Sequence, residues 1–477
     1  MEWSGDLCFY GQTFKGYGGI RMTRKIITVI GGGSVTWMPG LMRDVYLLDE
    51  IEGGEIRLVD PDKTNVEAVA QMLHKFNEIR VKDYAISVVD DRKAALKDAD
   101  FVLTTFSPGS MDAFYNDLEI PVKYGIRLPV SMTVGIPGIS AAIRTVPVAY
   151  EIVKEMEEVC PGAWLLNVTN PMSCVTRAMN LAAEKTKVIG MCHEFHAFGA
   201  YIGPILDLNR PQGMDVLTYL YKWLPEQGLD YTVAGINHFV WLTKAVLNGE
   251  NVIPRIRKFC EKNLDFDTDD PVLKTIGLAK MALCKQFGYM PLAGDRHLVE
   301  FYPCLCNIRN GFGMKFNVVK TTVDVRRHAK ENGLRHIKNI ANGVAQVNWT
   351  RTGEEMTEIM RAIVTGGEVM AIVNMPNKGQ ISNMPKDVVV ETLADVSKDG
   401  ARPKISGELP GAVGSLCRFH ADIHEMTVKA ALTGDRKLLV EAMSLDPSSG
   451  SACFAEIPKL CDELLKANKK WLPRFFE

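Results

Sequence analysis

Ten residues, Lys25 to Ser34 ("KIITVIGGGS"), constrain this chain more than any others. A short β-branched run ending in three glycines reads as a buried parallel strand entering a tight turn, with a helix following through Leu48. Gly31, Gly33 and Ser34 fall where backbone must come close to a pyrophosphate, and the next helix would aim its first N–H groups at that anion. "GEIRLVD" then reads as a second strand ending in Asp60, an acid placed to accept from ribose hydroxyls, which favours NAD over NADP. The pattern departs from G-x-G-x-x-G: Thr36 replaces the third glycine, and Asp60 lies further along than usual. A glycine turn alone signals only a strand–helix connection. Strand before, helix after and acid beyond raise it to a dinucleotide site.

The alternation continues with a helix in "NVEAVAQMLHKFNEIR", a strand in "YAISVVD" and another in "ADFVLTTFSPGS". "AWLLNVTNP" and "KVIGMCHEF" read as the last strands of the same sheet. The expected architecture is α/β, with a doubly wound Rossmann-type NAD-binding domain over residues 24–198. Beyond about residue 200 the alternation lapses. "YTVAGINHFVWLTKAVLNGE" reads as strands turning at Asn248-Gly249, with helices near 272–288 and 323–345. Further strands follow in "EVMAIVNMPNKGQISNMPKDVVVETLADVS", and helices from Gly411 onward. At 477 residues the chain exceeds one ordinary core, so residues 199–477 are expected to form an α+β catalytic and substrate domain. Residues 1–23, Gly-rich and aperiodic, read as an N-terminal extension, either a disordered arm or translated leader.

Several function classes fall away on composition. With 55 basic against 57 acidic residues and no basic stripe, nothing points to a nucleic-acid partner. No apolar run approaches the roughly 20 residues of a membrane span, and the N-terminus lacks the basic start and apolar core of a signal peptide. The 11 cysteines are scattered without framework spacing, which reads as free thiols in a reducing, cytoplasmic compartment.

Chemistry gathers at the strand ends. Ser107 and Asn167 close two of the strands beside the expected cofactor, and "NVTNP" is similar to the segment of malate and lactate dehydrogenases whose asparagine meets substrate. A plain Asn-Pro turn would look the same. In "GMCHEFHAFG", Cys192 and His193 are neighbours at a strand end, so their side chains point to opposite faces and serve different tasks. No second Cys/His pair lies at finger spacing, and Cys304 and Cys306 are separated by a single residue, so a structural zinc site is excluded. "AGINHFVWL" supplies His238; a thiolate and a distant imidazole make half a metal site with positions open to substrate, unless the histidine is merely a core residue. "AGDRHLVEF" packs Asp295, Arg296, His297 and Glu300 into six residues, a density that a solvated turn also shows.

Together "VIGGGS", "NVTNPM", "GMCHEF", "GINHFVWLTKA", "AGDRHLVEF" and "VNMPNKGQISNMP" resemble glycoside hydrolase family 4, in order and spacing, from Lys25 to the C-terminal region. The Cys-His, Asn-His and Gly-Asp blocks look most like the α-galacturonidase branch. The resemblance implies an NAD⁺- and Mn²⁺-dependent glycosidase on a lactate/malate dehydrogenase-like fold, outside the two-carboxylate scheme. In that route NAD⁺ takes hydride from C3, the C2 proton is lost, the glycosidic oxygen is eliminated, water adds at C1 and hydride returns. Carried over residue by residue, it makes Cys192 and His238 the metal ligands, His193 the acid toward the leaving group and Asp295 the C2 base. Asn170 and Asn237 would contact the sugar, a reduced thiol would be required, and the assembly would be a homodimer or homotetramer. Ligand chemistry alone would favour zinc or ferrous iron for a thiolate–imidazole pair; manganese comes from the resemblance.

Two departures shape the substrate expectation. "FSPG" (Phe106 to Gly109) stands where phospho-specific members carry an arginine, which disfavours a 6-phosphosugar. Met132 stands where many members have an acid before the threonine of the following loop. A uronic acid needs a cation for its carboxylate, and Arg296 with help from His297 is the expected contact, with Arg144 and Arg309 as alternatives. The expected activity is release of galacturonic acid from pectin-derived oligosaccharides. The alternatives are an α-glucosidase, α-glucuronidase or α-galactosidase of the same family, or an NAD-dependent dehydrogenase of a hydroxy acid or sugar. A non-enzymatic NAD-sensing protein ranks last, since it would gain nothing from a thiol, an imidazole and an acid placed at strand ends.

Overall fold

The computed structural model describes residues 23–477, so the expected N-terminal extension lies outside the described residues apart from Thr23, which already belongs to the first strand. Six strands form the parallel half: β1 (Thr23–Ile30), β2 (Ile51–Val59), β3 (Asp83–Val88), β4 (Phe101–Thr104), β5 (Trp164–Asn167) and β6 (Lys187–Gly190). Their spatial order is 3-2-1-4-5-6, that of a doubly wound dinucleotide-binding sheet. β4 and β5 are buried at every position because helices cover both faces. Val102 and Leu165 point into the core shared with the helix Gly135–Val159, whereas Phe101, Leu103 and Leu166 point to the opposite core under Met38–Tyr46 and Lys63–Arg80. That period of two is what a continuously apolar strand between two helix layers requires.

The sheet does not stop where the alternation lapses. β7 (Leu229–Ile236), β8 (Phe239–Leu247), β9 (Glu250–Asn251), β10 (Met290–Pro291), β11 (Glu368–Pro376), β12 (Val389–Ser397) and β13 (Gly400–Pro403) complete a 13-stranded sheet. β11 lies antiparallel to β6, joined at Asn374 and Gly190, and β12, β7, β8 and β10 continue outward from it. The boundary expected at residues 198/199 therefore crosses one unbroken sheet. Cys192, just past β6, faces strands that arrive some 200 residues later.

The hairpin at His238 differs from expectation. A turn does occur at Asn248-Gly249, between β8 and β9, but the principal one lies at Asn237-His238, where Ile236 pairs directly with Phe239. The unbroken apolar run on both sides hides it in the sequence. His238 accepts a φ of +60° there, which hairpin turns commonly demand and which histidine tolerates better than bulky residues do. The helix expected near 272–288 is split at Gly277, at φ +105°, into Pro271–Ile276 and Leu278–Phe287. By length and composition Gly135–Val159 is apolar enough to cross a membrane, yet it is a core helix packed against Met172–Ala182.

Candidate active site

At the nucleotide end, β1 runs into a turn whose amides are spent internally. Gly31 and Gly32 donate to Val59 O at 2.9 and 3.1 Å, Gly33 to Asp60 Oδ2 at 2.9 Å, and Ser34 to Gly31 O at 3.0 Å. The amides that lead into the helix Met38–Tyr46, from Val35 to Trp37, are therefore the ones in position for an anion, rather than those of Gly33 and Ser34. Gly31 adopts φ +90°, and a Cβ there would lie 2.3 Å from Thr105 O, so β1 and β4 end against each other as a pyrophosphate cradle requires. Asp60 ends β2 as expected and accepts two amides, Gly33 and Asp62. Ser107 is exposed in the loop after β4.

Asn167 is corrected. Its amide is wholly buried and committed: Oδ1 accepts from Thr104 Oγ1 at 2.8 Å and from Thr169 N at 2.9 Å, while Nδ2 donates to Thr176 Oγ1 at 3.1 Å. A side chain tied into three neighbours shapes the strand end and has little left for a cofactor. Asn170 is half-buried, its Oδ1 accepting from Met172 N at 3.3 Å.

Around Cys192 the structure assembles a buried polar cluster. The thiol is pushed up by burial and by the carboxylates of Glu391 and Glu194, with the Asn237 amide against it. Asn237 has no exposed surface, and its amide finds no nitrogen or oxygen partner. An unpaired buried amide costs on the order of 1–3 kcal/mol, which marks a place where a ligand completes the bonding. His238 Nδ1 lies 2.8 Å from Thr133 Oγ1, which fixes the ring and commits Nδ1, so that a cation would be taken by Nε2. Burial, then the neighbouring His297, holds that imidazole neutral, the form that binds a cation. Among the described residues no three His, Cys, Asp or Glu side chains converge on one point. A divalent cation at this site would take Cys192 and His238 and keep positions open for sugar oxygens, and the thiol, the neutral imidazole and the orphaned amide fit that role.

His193 parts from its neighbour as expected. It is half-exposed beside a cleft of about 350 Å³ and its Nδ1 lies 2.9 Å from Glu354 Oε1, whose carboxylate raises its pKa. A larger groove of about 540 Å³ beside β7 is lined by none of these residues. His297 stacks on His238 with ring centroids 3.9 Å apart, and its Nε2 is 3.4 Å from Glu194 Oε1. Glu194, which sequence reasoning left without a role, also accepts from Gly294 N at 2.7 Å and so joins the two walls.

Asp295 is the main correction. Its two oxygens accept from Ala279 N at 2.8 Å and Lys280 N at 3.0 Å, capping the helix Leu278–Phe287, with the buried Lys280 ammonium adding attraction. A carboxylate held by a helix terminus is poorly placed to take a proton from substrate. Asp295→Ala is expected to destabilise the chain by about 2 kcal/mol, visible in chemical denaturation. A variant of unchanged stability with lost turnover would return Asp295 to the role of base.

The cations sort clearly. Arg296 is exposed, donating to Thr321 Oγ1 at 2.7 Å, and Arg309 is exposed. Arg144 is removed from candidacy, since it forms a buried bidentate pair with Asp117, 2.7 Å at its nearer contact. Two acids, Glu391 and Glu354, were missed as participants, and Glu300 was noted in its motif without a role. Glu391 on β12 is pushed up to about 8 by burial, accepts from Asn374 Nδ2 at 3.2 Å and is visible in sequence only as an acid within an apolar strand. Glu300, pushed up to about 7 by burial, accepts from Val130 and Ser131 amides at 2.7 and 2.8 Å. Glu354 had no signal at all.

Residues 26–207 match the model of the family 4 glycosyl hydrolases, and 233–449 match that of their C-terminal domain. The chain is 31% identical to an α-galactosidase of Bacillus subtilis (strain 168) over 457 residues, 94% of this chain and 100% of that protein. It is 30% identical to an α-galacturonidase of Thermoanaerobacter italicus over 467 residues, covering 96% and 99%. Among solved structures, the lplD protein of Bacillus subtilis superposes with a TM-score of 0.81 at 27% identity, covering 93% of this chain and 100% of that one. The 6-phospho-β-glucosidase of Thermotoga maritima, solved with manganese, NAD⁺ and glucose-6-phosphate, shares the fold at a TM-score of 0.73 and 20% identity over 94% and 99%.

Proposed function

Because this chain belongs to the family 4 glycosyl hydrolases and is a glycoside hydrolase, we propose that it releases terminal galacturonic acid from α-galacturonosides by an oxidation–elimination route. The observation that carries this reading is the buried Asn237 amide, without a nitrogen or oxygen partner, against Cys192 and on the residue before His238, at the carboxyl end of a sheet whose β1–β4 crevice suits a dinucleotide. When bound, NAD⁺ supplies the oxidant and Mn²⁺ a Lewis acid for the sugar oxygens.

The chain's own residues supply the metal ligands, the sugar contacts and the proton donor. Cys192, kept reduced, and His238 hold the metal, with Thr133 fixing the imidazole. Asn237 and Asn170 offer amides to sugar hydroxyls. His193, made more basic by Glu354, is the group that delivers a proton to the leaving oxygen. Asp295 is not part of this reading. "FSPG" after β4 carries no arginine of its own for a 6-phosphate, and the Arg296 guanidinium favours an acid sugar. The α-galactosidase relative at 31% identity keeps a neutral galactoside as the second reading.

The test supplies an aryl α-galacturonide and an aryl α-galactoside with NAD⁺, Mn²⁺ and a thiol reductant in D₂O. Faster cleavage of the galacturonide, deuterium at C2 of the released sugar and no net NADH are expected. Hydrolysis that persists after removal of NAD⁺ would sink the redox route. Preference for the galactoside would select the second reading, and stoichiometric NADH would mean a dehydrogenase.

A further inference from the structure

Arg326 belongs to none of the motifs above. It lies in the first turn of the helix Val323–Ala341, with Nη2 donating to Val130 O at 3.2 Å and the guanidinium 4.4 Å from the centroid of the Phe114 ring. Its Nε is buried with no partner. Among the described residues, the other arginines that are partly or fully buried all have a carboxylate at ion-pair distance; Arg326 has none. Glu300 attracts it from beyond ion-pair distance, with one oxygen held by the Val130 and Ser131 amides. Burial, then repulsion from Arg296, pulls its pKa down to about 10, and this outweighs the pull of Glu300. A half-buried cation beside a second cation and without a counter-ion is costly, and a fold retains such a group where an anion arrives from outside.

Position narrows the anion. Arg326 grips Val130, and Thr133 on the same loop grips His238. Three residues of chain span at most about 10 Å, so one short loop ties Arg326 to the candidate metal ligand, and Arg296 exerts its charge on both. The aromatic face of Phe114 holds the guanidinium plane, which suits a planar carboxylate. We propose that Arg326, with Arg296 beside it, receives the carboxylate of the sugar and sets the preference for galacturonides over galactosides. This rests on the glycosidase reading above. A pyrophosphate is the competing source of negative charge, because the same helix continues past Lys330, paired with Asp62, to Gly333 against Val35.

The test uses the full chain and compares wild type with R326Q and R326K. It measures kcat/KM for 4-nitrophenyl α-galacturonide and α-galactoside, D-galacturonate binding by calorimetry, and NAD⁺ affinity. R326Q should lower the galacturonide-to-galactoside ratio roughly 30-fold, mainly through KM, and weaken galacturonate binding in parallel. R326K should fall between. Arg296 is exposed, so R296Q keeps the fold and should lower the same ratio by less, which serves if R326Q does not fold. A wild type that prefers the galactoside would overturn the galacturonide reading and this inference together. An unchanged ratio in R326Q and R296Q, from a wild type that prefers the galacturonide, would overturn this inference alone. Weakened NAD⁺ binding with an unchanged ratio would assign Arg326 to the pyrophosphate and overturn it equally.

Discussion

Cys192→Ser is expected to lower turnover by at least about 10³-fold and to abolish manganese binding while the chain stays folded. Serine nearly matches the thiol in volume, so the core around β6 has no cavity to collapse into. What changes is the anion. Burial and the carboxylates of Glu391 and Glu194 already disfavour a thiolate at this position, so a negative ligand exists there only when a cation shares the site. An alcohol has a far higher pKa and cannot follow. Manganese titration by electron paramagnetic resonance gives a readout independent of turnover. Retained metal affinity together with retained activity would refute the ligand assignment.

Gly31→Ala should cost about 3 kcal/mol and remove NAD⁺ binding. The residue sits at φ +90°, and its new Cβ would meet Thr105 O at 2.3 Å, Thr105 C at 2.5 Å and Phe106 N at 2.8 Å. All three are backbone atoms of the loop after β4, so no rotamer change relieves the clash. Gly33→Ala is the informative control. There the Cβ would meet the Asp60 side chain, Cγ at 2.9 Å, and the Val66 N at a looser 3.2 Å, so the loss should be smaller. Denaturant midpoints and NAD⁺ titrations of both variants check the ranking, and a Gly31→Ala variant as stable as wild type would refute the crossing geometry.

The two glycines illustrate how far a motif reaches. Three glycines after a β-branched run announce a phosphate-binding turn, yet nothing local says which one abuts β4, because Thr105 lies 74 residues away. The parallel half was legible because buried parallel strands are continuous apolar runs separated by amphipathic helices, a pattern that survives in one dimension. The outer strands were harder. β7 and β8 meet at a two-residue turn inside an apolar stretch, and His238 appeared as a residue after a strand instead of the turn itself.

The candidate site divides in the same way. Cys192 and His238 stood out by residue type and by the family's order of motifs, and both are buried in one polar cluster. Asp295 stood out by the same criteria and is spent on the N-terminus of Leu278–Phe287. Its motif "AGDRHLVEF" carries no trace of Ala279 and Lys280, which precede it by some fifteen residues and meet it only when Gly277 breaks the preceding helix. Asn167 was misread similarly, since a strand-end asparagine looks identical whether its amide faces a ligand or three neighbours.

The sequence by itself determined the element alternation, the class of fold, the family and the residue types able to hold a metal or an anion, because periodicity and short motifs are local. Only the tertiary structure decided which of those side chains still have a free atom. Glu391 reaches the cluster around Cys192 from β12, far along the chain, through one sheet that ignores the boundary between the halves. Whether a carboxylate serves as base, cap or neutral acid depends on burial and on partners brought from elsewhere, and those are properties of the packed molecule.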